Sequence, residues 1–194
     1  KETWGAQIGD ESRTPLVDAV GMAISSDASV RLQRALANEC LIGLYPNLSD
    51  RETIEQADNV EAVRTPVAST GMLHFNFRLD KFKDQRVRQA LAQAIDMESL
   101  VEVVYSGMGH VTGAVVPPAL WGHASDIGPW KYDPDAAKAL LEEAGFGEGF
   151  STQLWAVPVS RPYMPNGRRA AEMIQEDWAK IGVKAEIVTY EWAE

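Results

Sequence analysis

Residues 151–192 read STQLWAVPVSRPYMPNGRRAAEMIQEDWAKIGVKAEIVTYEW, and this stretch decides the fold. Ser151 to Val157 has the composition of a strand that runs into a proline-stiffened loop. Asn166 then offers a side-chain oxygen to the free amides of a helix. Ala170, Met173, Ile174, Trp178 and Ile181 recur on one side of that helix, and Gly182 closes it. Val183 to Trp192 alternates in polarity, as a strand with one buried face does. Strand, helix and strand in this order predict an α/β or mixed α+β layered fold.

Upstream, Asp133-Pro134 is a helix start, because the carboxylate caps free amides and proline suits the first turn. Ala137, Leu140, Leu141 and Ala144 form its buried stripe, and Gly145 stops it. Val87, Ala90, Leu91, Ala94 and Ile95 make a second continuous stripe, and a further helix spans Glu98 to Tyr105 and ends at Gly107. Residues 108–132 contain glycines, prolines, His110, His123, Trp121 and Trp130 without periodicity. So long a loop is expected to be functional or packed on itself.

Met72 to Phe77 alternates like a strand, and Pro66 followed by small residues to Gly71 marks a domain boundary. Before it, Ala19–Ser25, Cys40–Tyr45 and Val60–Arg64 read as strands. Asp27 caps a helix bearing Val30, Leu32, Ala35 and Leu36, and a short polar helix runs from Ser49 or Asp50 to Glu55. Glu194 follows the last predicted strand without a tail, which suggests a segment of a longer chain.

The composition, 45% hydrophobic and 24% charged over 194 residues, supports a folded core. A net charge of −10 speaks against a nucleic-acid partner. No apolar run approaches the ~20 residues of a membrane span. Cys40 is the single cysteine, so it has no internal disulfide partner; a small buried apolar side chain and a bridge to a cysteine elsewhere in a longer parent both fit it. His74, His110 and His123 lack metal-ligand spacing, and Glu142-Glu143 reads as a solvated helix face. No nucleophile elbow, P-loop or dinucleotide motif occurs, so the sequence does not read as an enzyme and implies no cofactor.

The loop after the first of these strands carries the binding signal. Prolines restrict the backbone around Arg161 and Tyr163, so a guanidinium there is presented at low entropic cost. An arginine so held can grip a carboxylate through two parallel hydrogen bonds. Trp155 joins Arg161 and Tyr163 as a candidate ligand contact, because tryptophan in a cleft wall holds flat or apolar surface. Arg168-Arg169 read as solvated or bracing charges.

At these residues the chain resembles the dipeptide- and oligopeptide-binding proteins of ABC importers, extracellular solute-binding family 5. The ordered markers are Asp27-Ala-Ser-Val-Arg31, Asn38-Glu-Cys40, Val87-Arg-Gln-Ala-Leu91 with Ala94-Ile95-Asp96, and Val104-Tyr105-x-Gly107-x-Gly109. They continue through Pro117-Pro118, Trp121-Gly122, Tyr132-Asp133-Pro134 and Ala137-Lys138-x-Leu140-Leu141. Arg161-Pro-Tyr-x-Pro-Asn166, Arg168-Arg169 and Glu191-Trp192 are similar to the dipeptide-binding branch.

The resemblance implies a partial type II periplasmic-binding-protein fold with two lobes and a hinge. Residues 1–66 would end the first lobe, a hinge strand would cross near Val67-Ala68, and residues 67–194 would begin the second, ligand-clamping lobe. It implies that Arg161 grips a peptide's C-terminal carboxylate, that the acidic residue for the amino group lies beyond Glu194, and that Cys40 pairs with a cysteine near the mature N-terminus. It implies a small peptide ligand, ABC permease subunits as partners, and a periplasmic or lipoprotein-anchored location. Haem, a nickel chelate, glutathione or an oligosaccharide is the alternative solute, and a chemoreceptor adaptor the alternative role.

Overall fold

The computed structural model describes residues 16–65 and 68–190. The start of the predicted crossing at Pro66-Val67 and the strand end at Glu191-Trp192 lie outside them. The chain divides into two compact units, Lys1–Asn47 with Ala57–Val60, and Leu48–Gln56 with Glu61–Glu194.

In the first unit, helix α1 (Ala28–Leu36) starts where Asp27 accepts the amides of Ser29 and Val30. Arg31 binds three backbone carbonyls, those of Ser25 (2.7 Å), Leu44 (3.0 Å) and Tyr45 (3.0 Å). Extended chain is thus pinned to the helix by a side chain instead of by a ladder. The strands expected at Ala19–Ser25 and Cys40–Tyr45 are absent, and Leu41, Ile42 and Leu44 are exposed, not buried. Cys40 is a half-buried free thiol. A strand needs a partner for its backbone groups, and apolar alternation does not supply one.

The second unit opens with a 3-10 turn, Leu48–Asp50, leading into the short helix α2 (Arg51–Glu55), as expected. Glu55 pairs with Arg51 at 2.9 Å and also with Arg64. Val60–Arg64 and Met72–Phe77 are irregular chain, contrary to the strands expected there. Four further helices follow among the described residues, at the three predicted stripes and at the helix read over Glu98 to Tyr105. They are α3 (Gln85–Gln93), α4 (Met97–Tyr105), α5 (Pro134–Glu143) and α6 (Gly167–Lys180), capped by Asp84, Asp96, Asp133 and Asn166. Strands β1 (Phe150–Trp155) and β2 (Val183–Val188) pair in parallel, with Phe150 opposite Val183 and Trp155 opposite Val188.

Alternation then sets the layers. Thr152, Leu154, Val183 and Ala185 are buried, while Ser151, Gln153, Trp155, Lys184 and Glu186 are exposed. Leu154, Val183 and Ala185 join Val87, Leu91, Ala137, Leu141, Ile174 and Trp178 in one core. The Trp178 indole donates to the Leu91 carbonyl at 3.0 Å, so its one polar atom is satisfied inside that core. Arg86 donates to the Glu143 carbonyl at 2.8 Å, fastening α3 to the end of α5. The 108–132 loop packs on itself, as anticipated: His123 Nδ1 lies 2.7 Å from the Val116 carbonyl, and Gly113 passes so close to Gly128 that a Cβ would overlap its carbonyl.

Candidate functional site

A parallel β-α-β unit gathers its loops at the carboxyl ends of its strands, where such folds bind ligands. The β1–α6 loop, residues 156–166, leaves from that end. Its first residue still belongs to the sheet register, because the Ala156 amide donates to the Val188 carbonyl at 2.9 Å. At the other end Asn166 accepts the Arg169 amide at 3.0 Å and starts α6. Gly167 lets the helix start approach the chain just beyond β1: a Cβ there would lie 2.6 Å from the Val157 carbonyl oxygen. Both ends of the loop are therefore rigid.

Between them Arg161 and Met164 exchange backbone hydrogen bonds, each 3.0 Å, closing a tight turn over Pro162-Tyr163. The structure thus brings two of the three predicted contacts, Arg161 and Tyr163, into one turn, and both side chains are exposed. Tyr163's carbonyl accepts the Tyr105 hydroxyl from the end of α4 at 2.8 Å. The third, Trp155, stands at the tip of β1, 65% exposed. Its ring packs on Tyr190 with centroids 4.8 Å apart and planes at 42°, and its Nε1 donates to Gln153 Oε1 at 3.4 Å. An open depression of about 220 Å³ lies beside the loop, lined by Val157 to Ser160, Asn166 to Arg168 and Thr189.

Charge at the helix start is compensated in part. Arg168 and Arg169 both face Glu172, at 3.1 and 3.6 Å, and are exposed, which fits solvated charges. Among the described residues no group of three or more His, Cys, Asp and Glu side chains could hold a metal ion. The sequence reading missed Tyr105 and Tyr190. Tyr105 reads as the last residue of a helix and part of a family marker, with no pointer to its partner 58 positions away. Tyr190 reads as one more residue of an alternating strand.

The sequence pattern of the bacterial extracellular solute-binding proteins, family 5 (middle region), matches residues 4–194. The chain belongs to this family. Its fold is the mixed α/β arrangement of the type II periplasmic binding proteins, in part. Among family 5 relatives, the dipeptide-binding protein of Escherichia coli K12 is 45% identical over 180 residues, covering 93% of this chain and 34% of that protein. Heme-binding protein A of Haemophilus influenzae is 39% identical over 184 residues, covering 95% and 34%. The crystal structure of the dipeptide binding protein of Pseudoalteromonas sp. SM9913, in complex with Met-Leu, superposes with a TM-score of 0.75 at 37% identity. It covers 88% of this chain and 34% of that one. The chain thus spans about a third of the length of the family 5 proteins it matches.

Proposed function

We propose that this chain is the ligand-gripping portion of a solute-binding protein that captures dipeptides or short peptides between two lobes and delivers them to an ABC permease. The observation that carries this reading is the closed turn at Arg161–Met164, which displays an exposed arginine from a rigidly ended loop. Its family membership and the peptide-binding relatives give the turn its context. In this reading residues 1–66 close the first lobe and residues 67–194 open the second, with a hinge near Val67-Ala68. Arg161 forms a bidentate pair with the peptide's C-terminal carboxylate, and Tyr163 and Trp155 bound the space for its side chains. Lobe closure over the ligand is the state a permease recognises. The setting is the periplasm or a lipid-anchored extracellular position, and the role is binding without chemical change of the ligand.

The test is calorimetric titration of a full-length protein carrying this sequence with di-, tri- and pentapeptides. Removing one partner of an enclosed charge pair costs about 2–5 kcal/mol, so Arg161→Ala should lose roughly 30- to several-thousand-fold in affinity. Unchanged peptide affinity in that variant would eliminate the carboxylate grip. Haem is the second reading, favoured by the 39% identical haem-binding relative. Haemin would then shift its absorbance on addition of the protein while peptides release no heat.

A further inference from the structure

The turn that presents Arg161 and Tyr163 is tethered from outside its own loop. Pro162 and Pro165 fix local φ angles, but they do not fix where the turn as a whole sits on the body of the unit. That requires a long-range contact, and Tyr105 provides one. Its hydroxyl donates to the Tyr163 carbonyl at 2.8 Å and lies 4.0 Å from Met164 Sδ. Gly71 completes the contact: a Cβ on it would fall 2.8 Å from the Tyr105 hydroxyl oxygen and 2.8 Å from the Tyr163 carbonyl oxygen. Hydroxyl, carbonyl and glycine backbone meet in a space that excludes even a methyl group. A phenol is neutral at physiological pH and so available as a donor, and burial pushes that of Tyr105 further up.

The tether is itself anchored. Tyr105 ends α4, whose first residues are capped by Asp96, and the Asp96 amide donates to Asp177 of α6 at 2.9 Å. The turn leads through Asn166 into the same α6. One helix therefore holds both the far end of the loop and the base of the arm that reaches the turn.

We infer that Tyr105 is a positioning residue for the ligand grip, holding the Arg161–Met164 turn in place through the Tyr163 carbonyl. The inference rests on the carboxylate-binding role proposed for Arg161. A bidentate contact tolerates little angular error, and a turn left loose would have to be ordered on binding, at a cost in affinity.

The experiment is calorimetric titration with Met-Leu and with its C-terminal amide in the full-length protein, comparing wild type, Tyr105→Phe, Gly71→Ala and Arg161→Ala. A double variant, Tyr105→Phe with Arg161→Ala, closes a cycle. Losing one such hydrogen bond should weaken Met-Leu binding about two- to tenfold in Tyr105→Phe, with the melting temperature nearly kept. Gly71→Ala, which leaves the hydroxyl in place but crowds the contact, should weaken it as well. In the Arg161→Ala background Tyr105→Phe should cost nothing more, and binding of the amide should be insensitive to it. Equal losses in both backgrounds would make Tyr105 merely structural and overturn the inference. So would full affinity in Tyr105→Phe while Arg161→Ala loses it, a result that leaves the grip itself standing. Full affinity in Arg161→Ala would remove the grip and this inference together.

Discussion

A buried carboxylate is costly unless its oxygens are satisfied, and Asp177 shows how α6 meets that demand. One oxygen accepts the Asp96 amide at 2.9 Å, and the other accepts the Lys180 ammonium at 2.6 Å. Asp177, and Tyr132 at 3.3 Å, hold the Lys180 ammonium above the ordinary lysine range. Asp96 in turn receives the Ser99 amide at 3.0 Å and the Ser99 hydroxyl at 2.7 Å. Those bonds favour its charged form and hold its carboxyl below the usual carboxylate range. A depressed carboxylate contributes stability above its unfolded value of about 3.9, and that stability is lost as pH falls through the lower folded value. Asp96→Asn keeps a good capping oxygen but removes the titration. The variant should melt below wild type at pH 7, and the gap should close as the pH is lowered from about 5 toward 2. A gap that stays constant down to pH 3 would show that the Asp96 charge does not stabilise the cap.

At the scale of elements, the parallel pair depends on two glycines placed side by side. Gly149 precedes β1 and Gly182 precedes β2, with φ of +73° and +81°. A Cβ on Gly149 would overlap the Gly182 carbonyl, so the strand starts can approach only with glycine at 149, whereas Gly182 is called for by its positive φ. Gly149→Ala should destabilise by about 2–4 kcal/mol, combining left-handed strain with overpacking. Gly145 has φ of +84° and open space around its Cβ position, so Gly145→Ala should cost only the strain, about 1 kcal/mol. Urea unfolding of the two variants separates the contributions, and equal losses would rule out the steric one. Elements with local hydrogen bonding were legible in the sequence. Among the described residues, α1, α5 and α6 lie where stripe and cap placed them and α3 where its stripe did, because a helix satisfies its backbone within itself. β1 and β2 were legible because a helix of matching length joins them. The segments at 19–25, 40–45, 60–64 and 72–77 also read as strands, the last by alternation, but have no neighbouring strand among the described residues. Their pattern specifies a face, not a partner. The proposed site follows the same rule: the turn that carries Arg161 and Tyr163 was readable from its prolines, whereas Tyr105 and Gly71 meet it through contacts that sequence distance conceals.

The two units differ in how they treat apolar surface. Leu32 is the one buried apolar side chain among the described residues of the first unit. In that same unit Leu16 is 99% exposed and Ile24 96%, and Leu41, Ile42 and Leu44 are exposed as well. Single exposed apolar residues are ordinary, but consecutive ones on extended chain present a contiguous apolar area to water. Burying such a side chain fully is worth about 1.5–3 kcal/mol, so several together can drive association at micromolar concentration. The chain spans about a third of its relatives, and in a full-length protein further chain is available to cover this surface. On its own, the 194-residue chain should associate. Size-exclusion chromatography with light scattering at tens of micromolar should give a mass well above 21.3 kDa, together with strong binding of an apolar dye. A Leu41→Ser, Ile42→Ser double variant should reduce both signals, since it removes adjacent apolar side chains without touching the core of the second unit. A dye-silent monomer at 21.3 kDa would mean that the first unit covers these residues in solution, and the extended segments would then have to pack against one another.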